Sequence, residues 1–229
     1  MMTDTEIRKA RLKGIPGSIL FVLVTALFLF IPAGTLNWPA AWALLAVHAV
    51  VFVVLLLTIS PGLIEERSKQ HTDSKGWDRR LVMILFLLGY VVFIVAGLDF
   101  RYAWTGPLPM IVPVTGFGVV VLGNLLVIRA STVNEFFSAI TRIQTGRGHE
   151  VVSKGPYRIV RHPGYVGMIT YVLFQPLLLG SFWALVPAVL VAGLFVLRTS
   201  LEDRTLQDEL PGYRVYTQEV RYRLVPGVW

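Results

Sequence analysis

Apolar runs long enough to cross a bilayer take up most of this 229-residue sequence. A helix needs about 20 apolar residues to span roughly 30 Å of hydrocarbon. Four runs meet that length, and they cover residues 15–34, 39–60, 80–100 and 109–129. Only 15% of the residues are charged, against about 25% in a typical soluble domain. The sequence therefore predicts an all-α, multi-pass membrane protein.

The fifth apolar run, Val166–Leu197, is 32 residues long, which is too long for one crossing. A single helix of that length would extend about 48 Å, at about 1.5 Å per residue. Gly180 and Ser181 lie near its middle with a proline on either side, a composition that favours a turn. We predict a helical hairpin over about 165–179 and 182–203, which gives six crossings. The alternative is five crossings, with one of these segments kinked or re-entrant.

The basic residues are distributed unevenly along the chain. With six crossings, every one of the 21 Lys and Arg residues except Arg101 lies on the side of the two termini and the 61–80 and 129–165 loops. Positive charge in short loops is retained in the cytoplasm, so we expect both termini to be cytosolic. The net charge of +7 then reflects orientation, and we expect no nucleic-acid partner. The first run is long enough to span and leads directly into the second, which predicts a retained span in place of a cleaved signal peptide.

Composition divides the chain into two parts. Residues 1–108 hold the N-terminal transmembrane helices, and residues 109–229 combine further helices with long polar segments. Those polar segments, 130–164 and 199–229, lie on the predicted cytosolic side, while the outer loops are short. We therefore expect a transmembrane bundle of five to six spans whose C-terminal third forms a cytosolic pocket.

A few polar residues lie within or beside the predicted spans. His48, Asn124 and Gln175 are inside spans, where hydrogen bonds between helices are the expected role. Asp99 and Arg101 lie at the outer interface and are expected to contact water or headgroups.

The connector between the second and third spans carries two adjacent carboxylates, Glu65 and Glu66. Without suitably spaced histidines these carboxylates are weak evidence for a metal site, and we expect a solvated loop. The chain has no cysteine, so thiolate metal sites and cysteine nucleophiles are excluded. We predict no metal.

The stretch His149–Gly167 is dense in groups that bind polar ligands, with two His, two Tyr and two Arg. Pro163 suits the first turn of the following helix, which places His162 near its N-cap. The free backbone N–H groups there favour an anionic group such as a carboxylate. Gly164 and Gly167 leave room for a ligand or for a neighbouring helix.

A second polar cluster lies at the end of the last apolar run. Arg198 and Glu202 are spaced i, i+4 and so share a helical face. A guanidinium at the membrane boundary can hold a carboxylate or a phosphate. The alternative is an arginine that snorkels to the interface and pairs with Glu202.

These strings resemble a known family. GPYRIVRHPGYVG, an apolar hairpin, RTSLED and then GYRVY are similar to the isoprenylcysteine carboxyl methyltransferase family, which belongs to a wider group of membrane methyltransferases that includes phospholipid N-methyltransferases. The resemblance covers about residues 120–229. It implies S-adenosyl-L-methionine as cofactor and S-adenosyl-L-homocysteine as product, without a Rossmann domain. The sequence has no G-x-G-x-x-G motif after a strand.

The resemblance also implies site residues, by position in the motifs. The implied cofactor-binding residues are Gln144, His149, Glu150, Val151, Val152, Gly155, Tyr157, Arg161, His162, Pro163, Gly164, Tyr165 and Glu202. Arg142 is an alternative to Gln144. Arg198 is implied to face the substrate, and Arg198 and Glu202 together are the expected catalytic residues.

The acceptor is predicted from the reaction. A carboxylate is already ionised at neutral pH, so O-methylation needs no general base, whereas an ammonium must first lose a proton. The motifs contain no obvious base, which favours a carboxylate on a prenylated or other lipidic substrate that enters sideways from the membrane lipids. Phospholipid N-methylation and small-thiol methylation on the same scaffold are alternatives. A small transporter is the alternative of a different class, but no internal repeat supports it.

The C-terminal tail has two interpretations. Tyr213–Tyr216 and the basic residues 221–223 either cap the cofactor pocket or lie on anionic lipid headgroups.

Overall fold

The computed structural model describes residues 4–67 and 75–229, and within them the chain forms eight α-helices and no strand. The helices are α1 (Asp4–Ala33), α2 (Pro39–Thr58), α3 (Pro61–Arg67), α4 (Gly76–Tyr102), α5 (Ile111–Val133), α6 (Pro163–Leu179), α7 (Leu185–Glu209) and α8 (Tyr213–Glu219). The predicted all-α class is confirmed. We call the end of the bundle that carries α3, the 134–162 segment and α8 the inner end.

Five helices, α1, α2, α4, α5 and α7, are long and apolar enough to cross a membrane. They correspond to the four predicted single spans and to the second arm of the predicted hairpin. Four of these helices, α1, α4, α5 and α7, extend beyond the predicted apolar run at one end or both, while α2 ends at Thr58 inside its run. A helix can continue past the hydrocarbon because its backbone hydrogen bonds are satisfied within the helix. The protein is therefore an integral membrane protein with a helical bundle.

The predicted hairpin is confirmed. Its first arm, α6, has 17 residues and ends at Gly180, whose φ of 76° suits glycine at a helix C-terminus. At about 1.5 Å per residue α6 extends roughly 26 Å, near the lower limit for a span. Because α6 is shorter than the five long helices, the sixth crossing stays a prediction.

Helix α6 lies at the centre of the bundle, where it contacts α2, α4, α5 and α7. Its closest neighbour is α5: a Cβ on Gly167 would lie 2.6 Å from the carbonyl oxygen of Gly123, and one on Gly123 would lie 2.9 Å from that of Gly167. Such distances exclude any side chain, so the two glycines set the separation of the helices. Gly167 was predicted to leave room for a ligand or for a neighbouring helix, and the structure shows the neighbouring helix, α5.

Helix α1 changes partners along its length. Near the outer end, a Cβ on Gly97 of α4 would lie 2.6 Å from the carbonyl oxygen of Leu29. Near the inner end, Gly14 of α1 instead packs against Leu56 of α2 and Ile64 of α3. Helices α1 and α4 therefore meet closely at the outer end, and the inner half of α4 faces the cavity described below.

Only one of the three polar residues within spans forms the expected bond between helices. His48 Nε2 lies 2.7 Å from the hydroxyl of Tyr171 and joins α2 to α6. Asn124 instead donates to the carbonyl of Val120 in its own helix, at 2.9 Å, so its prediction was wrong. Gln175 is 1% exposed, and its Oε1 has no partner within the described residues.

Asp99 is 2% exposed, so the prediction that it contacts water or headgroups was wrong. Its carboxylate accepts hydrogen bonds from the Ser181 hydroxyl at 2.5 Å and from the backbone N–H of Thr105 at 2.7 Å. The Thr105 hydroxyl donates as well, at 2.5 Å. Asp99 thus joins the end of α4 to the turn between α6 and α7. Arg101, by contrast, is exposed as expected.

Replacement of Asp99 with alanine will destabilise the outer end of the bundle. The change removes the acceptor of three hydrogen bonds and leaves the buried Ser181 hydroxyl without one, at an expected cost of about 2–4 kcal/mol. Thermal unfolding in detergent measures the effect, with the exposed Arg101→Ala as the matched control. Equal melting temperatures for the two variants would contradict this role of Asp99.

The connector after α2 is not the solvated loop that the sequence predicted. Residues 61–67 form helix α3, in which Leu63, Ile64 and Glu66 are buried. Glu66 is 5% exposed and forms an ion pair with Arg142. The apolar pair Leu63 and Ile64 packs on the end of α2 and draws the carboxylate inward. Residues 68–74 of the connector lie outside the described residues.

Candidate functional site

A cavity of about 440 Å³ lies at the inner end of the bundle. Part of its wall is apolar and comes from the helices, with Leu55 of α2, Phe86 of α4, Val127 of α5 and Phe195 of α7. The rest is polar and comes from the 134–165 segment and the end of α7. The side chain of Phe86 is also 56% exposed on the bundle surface, so the apolar part of the wall reaches the lipid-facing side.

Most of the implied site residues meet at this cavity. The residues that line it are His149, Glu150, Val151, Val152, Tyr157, Arg161, His162, Gly164, Tyr165, Arg198 and Glu202. Three implied cofactor residues, Gln144, Gly155 and Pro163, are not part of its wall. The sequence therefore predicted which segments come together, while the ligand that they bind stays a prediction.

Helix α6 begins as the sequence predicts. Pro163 occupies its first turn and His162 its N-cap, without a side-chain capping bond. Pro163 therefore acts on the site through the backbone that it shapes. At Gly164, which lines the cavity, a Cβ would collide with the ring of Phe137. The absence of a side chain there lets Phe137 cover the start of the helix.

Glu202 faces the cavity with two hydroxyl donors. The Tyr165 hydroxyl donates to its Oε2 at 2.6 Å, and the Thr141 hydroxyl donates to the same oxygen at 2.8 Å. The nearest cationic candidate is His162 Nδ1, which lies 3.9 Å from Oε1. Glu202 therefore has no arginine or lysine partner within the described residues, and its charge is available to a ligand.

Arg198 does not pair with Glu202, so that alternative was wrong. Its Nε and Nη2 donate to the two carboxylate oxygens of Asp78 at 2.7 and 3.1 Å, and Nη2 also donates to the carbonyl of Ala139 at 2.7 Å. Asp78 is fully buried and also accepts the backbone N–H of Thr141 at 2.6 Å. Much of the hydrogen-bonding capacity of Arg198 is therefore committed to the protein, which weakens its implied role as the substrate-binding residue.

Sequence reasoning missed Asp78 as a site residue. Its only local signal is an acid in the first turn of an apolar helix, where negative charge is ordinarily favoured by the helix dipole. That signal points to the helix and not to Arg198, which lies 120 residues further along.

Asp203, also missed, is a second fully buried carboxylate beside the cavity. Arg161 donates to both of its oxygens, at 2.7 and 3.0 Å, and Arg223 donates to Oδ2 at 2.9 Å. His162 Nε2 and the Tyr213 hydroxyl each lie 3.1 Å from Oδ1. We call these five residues the Asp203 cluster. The side chains of Arg161 and His162, implied to bind the cofactor, are thus partly committed to holding the chain together.

The C-terminal tail packs on the site. The backbone N–H groups of Arg161 and His162 donate to the carbonyls of Tyr222 and Arg223, at 2.9 and 3.0 Å. The hydroxyl of Tyr216 donates to the carbonyl of Tyr157 at 2.6 Å. These contacts favour the interpretation of the tail as a cap over the pocket, because a tail spread on headgroups would not make them.

Gln144 has a supporting role. It is 2% exposed, donates to the carbonyl of Phe136 at 2.8 Å and accepts from Arg147 at 2.5 Å. Its backbone N–H donates to Nδ1 of His149 at 3.3 Å. The alternative residue, Arg142, does line the cavity. Of the two, the structure therefore places Arg142 where a ligand can be contacted.

Residues 114–208 match the model of the isoprenylcysteine carboxyl methyltransferase (ICMT) family. This segment, which is less than half of the chain, is similar to that family. The resemblance that the motifs indicated is thereby confirmed, and the matched segment runs from α5 to the end of α7. Asp78, Arg67 and the C-terminal tail contribute to the cavity and its surroundings from outside the ICMT match.

A relative of known name shows the same likeness. Over 131 residues the chain is 28% identical to protein-S-isoprenylcysteine O-methyltransferase B of Arabidopsis thaliana. The match covers 56% of this chain and 62% of the relative. The chain thus corresponds to less than two thirds of the length of that ICMT relative.

Shifted pKa values fix the protonation states of Tyr157 and His149 in the cavity wall at neutral pH. Burial raises the pKa of the Tyr157 phenol, and the charge of Glu202 raises it further. Burial lowers the pKa of His149 to about 4. The bond from the Gln144 N–H to Nδ1 requires that nitrogen to be unprotonated. Tyr157 is therefore a hydroxyl donor and His149 a neutral imidazole.

His149 will make the protein less stable as the pH falls. The pKa drops from about 6.5 in the unfolded chain to about 4 in the fold, mainly through burial, while Glu202 opposes the shift and Arg142 and Arg147 add to it. The unfolded state then binds more protons below pH 6.5, so the stabilisation present above that pH is lost as the pH falls towards 4. Melting temperatures of wild type and His149→Gln should converge over this range. A constant difference between pH 7.5 and about 4.5 would contradict the shift.

Proposed function

We propose that this protein is an S-adenosylmethionine-dependent methyltransferase that O-methylates the carboxylate of a prenylated or other lipidic acceptor. The observation that carries the proposal is one cavity with two kinds of wall, polar at the 134–165 segment and apolar between the helices. A water-soluble methyl donor and a lipidic acceptor need that combination. The ICMT match covers the segments that join the two walls, and the name of the plant relative supports the choice of acceptor.

The polar wall suits the methyl donor. Its most distinctive group is Glu202, a carboxylate held by the hydroxyls of Tyr165 and Thr141 without an arginine or lysine partner in the described chain. Such a carboxylate can pair with the ammonium group or the positive sulfur of the donor. The cavity volume of about 440 Å³ lies within the range of roughly 300–1,000 Å³ typical of small-molecule sites.

When bound, the donor would supply a methyl group on a positively charged sulfur, ready for in-line displacement by an oxygen. The protein then has to align the acceptor and keep water out. Tyr165 and Thr141 fix the orientation of Glu202, and the tail contacts of Tyr216 close the polar side. No residue has to remove a proton from a carboxylate, which agrees with a protonated Tyr157 and the absence of an obvious base.

The apolar wall suits a lipid chain. Leu55, Val127 and Phe195 line it from three helices, and Phe86 carries it to the surface of the bundle. We place the entry of the acceptor beside Phe86, so that its chain comes from the membrane and its polar end meets the 134–165 segment. The distribution of Lys and Arg residues supports a cytosolic position for the cavity and both termini.

Methyl transfer to defined acceptors tests the proposal. The purified protein in lipid nanodiscs is given S-adenosylmethionine with a radiolabelled methyl group and an N-acylated S-prenylcysteine, either as the free acid or as the amide. We expect label in the acid only, and its release as methanol in mild alkali identifies an ester. Base-stable label in phospholipid would instead indicate N-methylation. No transfer to any acid, prenylated or fatty, would contradict the proposal.

A further inference from the structure

The arginines of the cavity differ in their ionic partners. Four of them line it, and three of these have a carboxylate partner. The three pairs are Arg142 with Glu66, Arg161 with Asp203 and Arg198 with Asp78. The fourth, Arg67 at the end of α3, has no carboxylate partner anywhere in residues 4–67 and 75–229.

Arg67 is held in place by neutral groups alone. Its Nε and Nη2 donate to the carbonyl of Phe137 at 3.2 and 3.0 Å, and Nη2 lies 3.5 Å from the Ser131 hydroxyl. The guanidinium carbon lies 5.4 Å from the centre of the Phe137 ring. Nη1 donates to no residue that the structure describes. The side chain is thus oriented, with one of its nitrogens available to a ligand.

A partly buried charge without a counter-ion is costly, and proteins seldom keep one unless a ligand compensates it. Burial lowers the pKa of Arg67 to about 10, still far enough above neutral for the group to stay charged. The hydrogen bonds from Arg67 to the Phe137 carbonyl and Ser131 replace part of its hydration but none of the missing negative charge. The site is therefore preorganised for an anion.

The position of Arg67 indicates which ligand supplies that anion. Its contact Ser131 lies one turn after Val127 on α5, and Val127 and Leu55 belong to the apolar wall. Glu202, the carboxylate without an arginine partner, belongs to the polar wall. The charge of Glu202 raises the pKa of the Tyr157 phenol, and the charge of Arg67 lowers it. The cavity thus offers a positive group beside the apolar wall and a negative group on the polar wall.

We propose that Arg67 receives the carboxylate of the methyl acceptor, the role that the family resemblance implied for Arg198. The inference rests on the proposed function and names the residue that selects an acid over a neutral lipid. The shared chemistry is a carboxylate, which the amino-acid part of the donor carries as well. The nearby apolar wall favours the acceptor as its source.

The binding of an acid, of its uncharged ester and of the donor's product shows whether Arg67 binds the carboxylate of the acceptor or that of the donor. Calorimetry with an N-acylated S-farnesylcysteine, its methyl ester and S-adenosylhomocysteine is performed on wild type, Arg67→Gln and Arg67→Lys. In Arg67→Gln we expect affinity for the acid to fall by about 10- to 100-fold, the range for a lost charged hydrogen bond. Affinities for the ester and for S-adenosylhomocysteine should stay unchanged, and Arg67→Lys should recover part of the loss.

The matched control is Arg129→Gln, which removes one exposed positive charge from the inner end of α5 without touching the cavity. It should bind all three ligands as wild type does. Equal losses for acid and ester in Arg67→Gln and Arg67→Lys would show a structural role and overturn the inference. A loss for S-adenosylhomocysteine alone would assign Arg67 to the donor and overturn it too. Failure of the proposed function looks different, because wild type itself would then bind no S-adenosylhomocysteine.

Discussion

Asp203→Ala will release the C-terminal tail and abolish binding of the proposed methyl donor at the polar wall. The change leaves Arg161 and His162 without their buried carboxylate, and Arg223 loses its link to α7. Removal of one partner from a buried ion pair costs about 3–5 kcal/mol, and here several donors lose the same acceptor. We expect a large fall in melting temperature, together with rapid proteolysis after residue 210.

A surface pair provides the control for Asp203. Asp208 lies on the same helix and pairs with Arg214, but both side chains are mostly exposed, at 55% and 72%. Asp208→Ala should leave stability and proteolysis close to wild type, because exposed ion pairs contribute little. If Asp203→Ala behaves like Asp208→Ala, the tail is held by its apolar contacts through Tyr213 and Tyr216. That result would contradict the claim that the Asp203 cluster holds the tail in place.

Arg198→Ala is the second change with a large expected effect. It would leave the fully buried Asp78 with an uncompensated charge, at a cost of about 3–5 kcal/mol. We therefore expect loss of stability together with loss of turnover. A substrate-binding arginine with no other role would lose turnover alone. Denaturation of the purified protein in detergent measures this difference directly.

The single variants Asp78→Asn and Arg198→Gln and the double variant that carries both complete a double-mutant cycle with the wild type. If the two charges stabilise each other, the double variant should be more stable than the sum of the single effects allows, by about 1–3 kcal/mol. Additive effects would show that Arg198 and Asp78 act independently. Retained stability with lost turnover in Arg198→Ala would return the residue to the substrate-binding role.

The bundle was largely predictable because the bilayer limits what a sequence can do. Runs of about 20 apolar residues can only be helices there, and Gly180 and Ser181 marked the turn of the hairpin. Pro163 likewise marked the start of α6. These are local signals, each contained within a few residues, and they fixed the segments that line the cavity.

Pairing of charges was not predictable from local signals. Arg198 has Glu202 one turn away, yet its partner is Asp78, on another helix. Glu66 and Arg142 belong to segments that look solvated in sequence and are brought together by the burial of α3. The prediction that Asp99 contacts water or headgroups failed for the same reason, because nothing near Asp99 in the sequence indicates that Ser181 is its hydrogen-bond partner. A sequence shows which charges exist, while the fold decides which of them lack partners, as Arg67 does within the described residues.

Calorimetric titration with S-adenosylmethionine and S-adenosylhomocysteine tests the central claim most directly. The wild-type protein should bind both at micromolar to submillimolar concentration. Glu202→Gln should weaken binding by about tenfold or more, because it removes the carboxylate that we propose pairs with the positive groups of the ligand. The exposed Glu219→Gln should leave both affinities unchanged. No heat of binding from wild type at millimolar ligand would contradict the assignment of the cavity as a methyl-donor site.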